Sequence, residues 1–373
     1  MLFETPTPAL AAAPPLAAPR VLRSLSCVVP CYNEAANLEL LLPLLRAQLA
    51  RLAPQWEIIL VDDGSTDATA QRMTEWTRTP GVRALLLSRN FGKEAALCAG
   101  LEAAHGDAVV MLDSDMQHPP ALLETFVRHW SAGADVVYAV RAHRDDESTF
   151  KRVGTEWFYN LINRVERFRM PPGAGDFRLM DRKVVLALRQ LPERNRFMKG
   201  LYAWAGFRAV ALPYTPQERH SGSSNFDALS LVNFAIDGVT SFSTWPLRLI
   251  SITGLLSAVA AFLHGAWVVF EYFYWGHKVS GISTIVVLLL LFFGMQMVFT
   301  GVLGEYIGRI FEEVKHRPVY IVTHEDGQGL PPAPDAPEPP NRAGTNPAHT
   351  IAKCQAQNQT QSQAQNQDQG KMP

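Results

Sequence analysis

The sequence predicts an α/β domain built on a mostly parallel sheet, followed by a two-helix transmembrane hairpin. Between residues 24 and 140, short β-branched runs alternate with stretches of helical periodicity, which is typical of strands joined by helices that cover both faces of a sheet. Farther along the chain, residues 249–270 and 279–303 contain no Asp, Glu, Lys or Arg, and each run exceeds the roughly 20 residues that cross a bilayer core.

Composition excludes some classes of protein. The 373 residues carry a formal net charge of −1, so no basic field points to nucleic acid. The four cysteines, at positions 27, 31, 98 and 354, match no zinc spacing and are expected to be reduced thiols. Residues 1–23 are rich in Ala and Pro without a leading basic segment, which predicts a disordered extension rather than a cleaved signal.

The first domain is predicted to extend over residues 24–225. Its strands are expected at Leu25–Val29, Glu57–Val61, Val82–Leu87, Ala108–Leu112 and Asp135–Val140. Its helices are expected at Glu34–Arg51, Asp67–Trp76, Lys93–Ala104, Pro120–Ser131 and from Asp181. Ligands of such sheets bind beyond the carboxyl ends of the strands.

Polar motifs follow the first four strands where each one ends. They are residues 30–34, residues 62–67, residues 88–93 and the pair Asp113 and Asp115. Any one of them alone is more typical of a turn or a helix cap. Four at four strand ends predict a single site.

The residue types predict the chemistry of that site. Asp113 and Asp115 share a face of an extended chain, and with Gln117 they offer the oxygen ligands that Mg²⁺ or Mn²⁺ prefers. Arg89 and Lys93 offer positive charge to a diphosphate. Asp62 and Asp63 offer acceptors to a base or a ribose. The chain lacks the glycine-rich signatures of P-loop and dinucleotide folds, so a nucleotide-diphosphate donor whose diphosphate leaves fits best.

These motifs resemble those of the family 2 glycosyltransferases of GT-A fold. The similarity is strongest to the polyprenyl-phosphate sugar transferases, which include dolichyl-phosphate mannose synthases and bacterial bactoprenol glucosyltransferases. It covers roughly residues 24–323 and rests on residues 28–34, 61–67, 113–120, 175–182, 191–200 and 304–310.

The resemblance implies roles for individual residues. It implies a metal held by Asp113, Asp115 and Gln117, and it makes Asp176 a catalytic-site residue near the acceptor. In the family's mobile loop, here residues 218–226, an Arg and a Ser contact phosphates, which assigns Arg219 to the nucleotide and Ser223 to the acceptor phosphate. The nucleotide would be held by Pro30, Tyr32, Glu34, Asp62 and Asp63.

Residues 148–170 are predicted to form an interfacial helix with one apolar stripe bordered by basic residues. Arg164 falls inside the stripe, where a core helix rarely places a guanidinium, so a lipid phosphate is a fitting partner. The family places acceptor-phosphate arginines on such helices, which assigns this role to Arg152 and Arg164. A helix packed on the sheet is the alternative that the pattern leaves open.

The C-terminal part is predicted to hold the membrane anchor. A juxtamembrane amphipathic helix at 226–247 precedes the transmembrane pair within 248–304, and a cytoplasmic segment at 305–323 follows it. Basic residues flank the pair at Arg248, Arg309, Lys315 and Arg317, against Lys278 alone in the connection, so the catalytic domain is expected in the cytoplasm at the inner membrane. Residues 324–373 lack aromatic side chains and are predicted to be disordered.

The predicted function is the inverting transfer of one sugar from a nucleotide-diphosphate sugar to undecaprenyl or another polyprenyl phosphate. UDP-glucose is favoured by the closeness of the match, and homo-oligomerisation is left open. A processive polysaccharide synthase is the first alternative, but its usual Gln-x-x-Arg-Trp motif and extra spans are absent. A non-catalytic membrane protein that retains the fold is the second, and the intact Asp113, Asp115 and Asp176 argue against it.

Overall fold

A computed structural model describes residues 19–141, 174–215 apart from Pro192 and Asn195, 244–275 and 281–332. Several predictions from sequence lie outside the described residues. They are the interfacial helix at 148–170 with Arg152 and Arg164, the loop with Arg219 and Ser223, nearly all of the juxtamembrane helix, and the tail after residue 332.

The N-terminal half alternates strands and helices as predicted. The strands are β1 (Ser24–Cys31), β2 (Gln55–Asp62), β3 (Val82–Leu87), β4 (Ala108–Met111) and β5 (Val136–Arg141). The helices are α1 (Ala35–Leu52), α2 (Thr69–Trp76), α3 (Lys93–Ala103) and α4 (Leu122–Ser131). Strand β1 pairs in parallel with β2 and β4, and β2 pairs in parallel with β3.

The second half adds β6 (Ala174–Asp181), α5 (Arg182–Arg189), α6 (Met198–Trp204), β7 (Ala209–Tyr214), α7 (Trp245–Trp275), α8 (Ile282–Val314) and β8 (Val322–Gly327). The described residues form one eight-stranded sheet in the order β7-β5-β6-β4-β1-β2-β3-β8. The predicted fold class, a mostly parallel sheet with flanking helices and two apolar helices near the C-terminus, is confirmed.

Apolar side chains pack on both faces of the sheet. One face is covered by α1 and α4, whose Leu41, Leu45 and Phe126 are fully buried. The other face is covered by α3, which buries Leu97 and Leu101. The described cysteines, at positions 27, 31 and 98, are buried free thiols, as the sequence predicts.

Strand β6 runs antiparallel between β4 and β5, and this register positions the site. Met111, the last residue of β4, pairs with Arg178 of β6. Continuing that antiparallel register two residues past β4 sets Asp113 opposite Asp176. Asp176 lies within β6, a strand that is not among those expected from the sequence.

The predicted disordered extension at 1–23 is too long. Residues 19–23 are ordered, and Leu22 is buried against the core. The guanidinium of Arg20 lies 2.8 Å from a carboxylate oxygen of Asp135 and 2.8 Å from one of Asp181. These ion pairs join residues far apart in the chain, so no local sequence pattern predicts them.

The predicted disorder from residue 324 is also corrected. Residues 322–327 form β8, which pairs antiparallel with β3 at the edge of the sheet. An edge strand of the sequence VTHEDG carries no alternation of apolar and polar residues. Its order depends on β3, which lies more than 230 residues earlier.

Helices α7 and α8 are each long and apolar enough to cross a membrane, by length and composition. Helix α8 continues to Val314, beyond residue 303, where the second span is predicted to end. The backbone N–H of Arg194 donates to Glu313 Oε1 at 2.9 Å, which joins the end of α8 to the loop before α6.

Candidate active site

The first two strand-end motifs are joined through Asn33. Its side-chain amide oxygen accepts from the backbone N–H of Thr66 at 2.8 Å, and its backbone N–H donates to Ser65 Oγ at 2.9 Å. Asn33 has a φ of 55°, in the left-handed region that asparagine tolerates better than most residues. The loops after β1 and β2 therefore form one surface.

The Asp62–Asp63 pair shapes the same surface. The carboxylate of Asp62 accepts from the N–H of Ser65 at 3.2 Å. Asp63 accepts from the N–H groups of Phe91 at 2.8 Å and Gly92 at 2.9 Å, one on each oxygen. Burial raises the pKa of both carboxyl groups. Asp63 thus holds the third loop in place, a role that the sequence interpretation did not include.

Gly64 and Gly92 make this loop contact sterically feasible. Gly64 has a φ of 68°, and a Cβ there would lie 2.5 Å from the carbonyl carbon of Arg89. Gly92 has a φ of 99° and immediately precedes α3. At Gly64 only glycine combines this dihedral with so close a backbone approach, and at Gly92 the positive φ alone favours glycine. The Arg89 guanidinium lies 4.1 Å from the centre of the Phe91 ring.

The predicted nucleotide residues after β1 lie at the same edge of the sheet. The Tyr32 side chain is 46% exposed, and the carbonyl of Pro30 accepts from Ser114 Oγ at 3.2 Å. The Glu34 carboxylate accepts from the Asn37 amide. The Pro30–Ser114 bond brings the first strand-end motif against the fourth.

Lys93, Asp113 and Asp176 form the centre of the site. Lys93 Nζ lies 2.7 Å from Asp113 Oδ1 and 2.9 Å from Asp176 Oδ2. Nε2 of His118 lies 3.5 Å from the second oxygen of Asp113. Burial alone would raise the pKa of Asp113 and Asp176, but Lys93 acting together with His118 at Asp113 and with Lys199 at Asp176 outweighs it and holds both below their usual range. Both carboxylates are ionised at neutral pH.

The residues present fit a hard divalent cation. Asp113 and Asp115 supply carboxylate oxygens, and Gln117 supplies an amide oxygen that also accepts from Arg141 at 3.1 Å. Met116 between them has a φ of 62°, and such conformations of non-glycine residues cluster at functional sites. The described residues contain no group of three or more His, Cys, Asp or Glu arranged for a metal. The remaining ligands would therefore come from substrate phosphates and water, as is usual for Mg²⁺.

Two charged residues of the site, the partly buried Glu94 and the buried Arg178, were missed by the sequence interpretation. Glu94 lies on α3 beside Lys93, and burial and repulsion from Asp176 raise its pKa to about 7. Arg178 is buried with its guanidinium 3.5 Å from the centre of the Tyr202 ring. A signal existed for Glu94, because α3 is otherwise almost entirely apolar and buried.

The chain is similar to known proteins over most of its length. The model of glycosyl transferase family 2 matches residues 26–188. The bactoprenol glucosyl transferase of Shigella phage SfV is 42% identical over 303 residues, which cover 81% of this chain and 98% of that protein. An uncharacterized glycosyltransferase of Synechocystis is 42% identical over 300 residues, covering 80% of this chain and 94% of that protein.

Among solved structures, mannosyl-3-phosphoglycerate synthase from Rubrobacter xylanophilus is 19% identical with a TM-score of 0.43, covering 62% of this chain and 75% of that one. The family match and the sequence relatives define an enzyme that transfers sugars from nucleotide donors. The chain belongs to glycosyl transferase family 2. The resemblance seen in the sequence and the prediction of a glycosyltransferase are confirmed.

Proposed function

We propose that the enzyme transfers a single glucose from UDP-glucose to a polyprenyl phosphate, with inversion at the anomeric carbon. The similarity to bactoprenol glucosyl transferases supports the sugar and the lipid, because it covers 98% of the phage protein and 81% of this chain. The observation that carries the proposal is the cluster of Lys93, Asp113 and Asp176 at the carboxyl ends of the strands.

The donor side comprises the residues around the first three strand ends. The nucleotide would be held by Pro30, Tyr32, Glu34, Asp62 and Asp63, and its diphosphate would contact Arg89, Lys93 and Arg219. Asp113, Asp115 and Gln117 would hold Mg²⁺ or Mn²⁺, which when bound neutralises negative charge on the leaving diphosphate. The ionised state of Asp113 supports this ligand set.

The acceptor side would use Arg152, Arg164 and Ser223 to bind the lipid phosphate. A phosphate monoester has a second pKa near 6 and is mostly a dianion at neutral pH, so it attacks without a strong general base. Asp176, paired with Lys93 and ionised, orients the acceptor or screens charge that develops on the sugar. One direct displacement inverts the configuration.

The reaction would take place at the cytoplasmic face of the inner membrane. Helix α8 is followed within eight residues by β8, which joins the catalytic sheet. The C-terminal end of the second apolar helix therefore lies on the same side of a membrane as the catalytic domain. The basic residues at both ends of the hairpin support the cytoplasm as that side.

The test is direct. The purified full-length protein is incubated with a panel of radiolabelled nucleotide-sugars and undecaprenyl phosphate, and lipid-linked sugar is extracted and measured. We expect UDP-glucose to give the fastest transfer, one sugar for each lipid, and a β-linked product from the α-linked donor. Products that carry several sugars would indicate a processive synthase, and no lipid product with any donor would refute the proposal.

A further inference from the structure

Lys93 stands at a position that does not favour a lysine. It is the first residue of α3, where the helix dipole is positive and repels a cation. The preceding residues Phe91 and Gly92 are fixed by Asp63, so the start of the helix is held in place whatever residue follows. The compensating attraction comes from Asp113 and Asp176, to which Nζ makes two short ion pairs.

The ammonium group of Lys93 and a divalent ion would need the same carboxylate. Lys93 Nζ lies 2.7 Å from Asp113 Oδ1, and a bound Mg²⁺ requires a ligand oxygen at about 2.0–2.1 Å. Two cations sharing one carboxylate oxygen repel each other strongly at such separations. The other oxygen of Asp113 faces His118 Nε2 at 3.5 Å, so it offers no unobstructed alternative.

We propose that Lys93 is an internal counter-cation that competes with the divalent ion for Asp113 and so makes metal binding depend on the donor's diphosphate. The inference rests on the proposed function, because it takes a nucleoside diphosphate as the ligand of the site. It assigns Lys93 a positioning role in addition to its contact with the donor.

The two ion pairs of Lys93 explain how the coupling arises. A diphosphate entering beside α3 offers the ammonium group a new anion, which weakens the hold of Lys93 on Asp113. Asp176 keeps the lysine in the site through the second ion pair at 2.9 Å. Asp113 Oδ1 then becomes accessible to the metal. By linkage, the diphosphate strengthens metal binding by the same factor as the metal strengthens diphosphate binding.

The test measures Mn²⁺ binding to full-length protein in detergent by electron paramagnetic resonance, with and without UDP, and requires no transfer. Three variants are compared with the wild type: Lys93→Met removes the charge, Lys93→Arg keeps it, and Lys183→Met is the matched control. Lys183 also lies 2.7 Å from an aspartate oxygen, that of Asp135, but at the opposite end of β6. Thermal melting of each variant establishes that it is folded.

We expect Lys93→Met to bind Mn²⁺ alone at least tenfold more tightly than the wild type. We also expect UDP to increase the Mn²⁺ affinity of Lys93→Met much less than it increases that of the wild type. Lys93→Arg and Lys183→Met should bind Mn²⁺ as the wild type does. Folded Lys93→Met protein that binds Mn²⁺ alone no more tightly than the wild type would overturn the inference, as would equal tightening by Lys93→Met and Lys93→Arg. Absence of any UDP effect in the wild type would refute the coupling. Failure to transfer sugar would count against the proposed function alone.

Discussion

Arg83 of β3 and Glu325 of β8 form an ion pair with 2.5 Å between Nη2 and Oε1. The same guanidinium lies 3.3 Å from Glu57, which is completely buried in β2. Glu57 also accepts from the N–H of Leu330 at 3.0 Å. This charged network attaches the segment after the second apolar helix to the interior of the catalytic domain.

Truncation after Pro332 is expected to leave stability unchanged, whereas truncation after Pro318 should lower it. The shorter chain lacks β8 and Glu325 and leaves Arg83 with one partner fewer. Removing one member of a buried ion pair typically costs about 3–5 kcal/mol, and the loss here should be smaller because the Glu325 side chain is 27% exposed and Arg83 keeps Glu57. Thermal melting of the two truncated proteins and the full-length chain in the same detergent measures the effect. Equal melting temperatures for both truncations would show that β8 contributes nothing.

Elements whose sequence pattern lies within their own segment were predicted, whereas strands that depend on distant pairing partners were not. β1 to β5 and the helices between them bury continuous apolar runs or one face of a helix, so each is readable within its own segment. β6 has the sequence AGDFRLMD, with three charged residues, and is a strand because β4 and β5 pair with it on either side. The residues of β6 by themselves therefore do not predict a strand.

For the candidate site too, the sequence predicted some features and not others. Asp113, Asp176 and Lys93 were each singled out from sequence, by a strand-end motif or by family resemblance. Their mutual contacts follow from the antiparallel register of β6, which the sequence did not reveal. Glu94 was missed because a carboxylate at the start of a helix is ordinarily explained by the helix dipole.

The hairpin topology gives a second prediction. A reporter fused after Pro373 should remain cytoplasmic, because β8 returns the chain to the catalytic sheet. A reporter inserted near Gly276, between the two apolar helices, should be exported. Paired phosphatase and fluorescent-protein fusions measure both positions. An exported C-terminus would contradict the assignment of the catalytic domain to the cytoplasm.

Asp115→Asn should reduce transfer to the background rate and leave the protein folded. The lost charge belongs to the metal-ligand set and not to the apolar core, so the melting temperature should change little. A chelator should have the same effect on the wild type, and added Mn²⁺ should reverse it there. The matched control is Asp326→Asn, which removes an exposed carboxylate at the far end of β8 and should keep full activity. Full activity of Asp115→Asn in the presence of chelator would refute the ligand assignment.

Glu94 predicts how stability depends on pH. Its pKa is raised from the ordinary value of 4.5 to about 7, because burial and the charge of Asp176 disfavour the ionised form. Below pH 4.5 both the folded and unfolded chains hold the proton. Between 4.5 and about 7 only the folded chain holds it, so this group's contribution to stability falls as pH rises through that window and stays low above it.

Glu94→Gln should therefore flatten the fall in melting temperature between pH 5 and 8. Glutamine keeps the shape of the neutral acid and cannot ionise. Glu39→Gln is the control, because that carboxylate is exposed on α1 and pairs with Arg72 at the surface. Melting curves of the wild type, Glu94→Gln and Glu39→Gln between pH 5 and 8 measure this slope. A Glu94→Gln protein with the same slope as the wild type would show that Glu94 is ionised throughout.

The last prediction concerns whether Asp176 acts as a general base. Its carboxylate is paired with Lys93 at 2.9 Å, and its pKa lies below the usual range because Lys93 and the neighbouring Lys199 and Arg178 together outweigh the effect of burial. A carboxylate of so low a pKa is a weak base at neutral pH. The acceptor phosphate needs none, since it is already a dianion above its own pKa of about 6.

The transfer rate should accordingly rise with pH only up to about 6–7, following the ionisation of the acceptor. Asp176→Asn should lower the rate at every pH and leave the shape of the profile unchanged. Because the pKa of Glu94 lies in the same pH range, the pH profile is also measured in Glu94→Gln. A rise in transfer rate that persists in this variant comes from ionisation of the acceptor. If the wild-type rate instead rose with a higher pKa, and that rise vanished in Asp176→Asn alone, Asp176 would be the base that its pairing with Lys93 argues against.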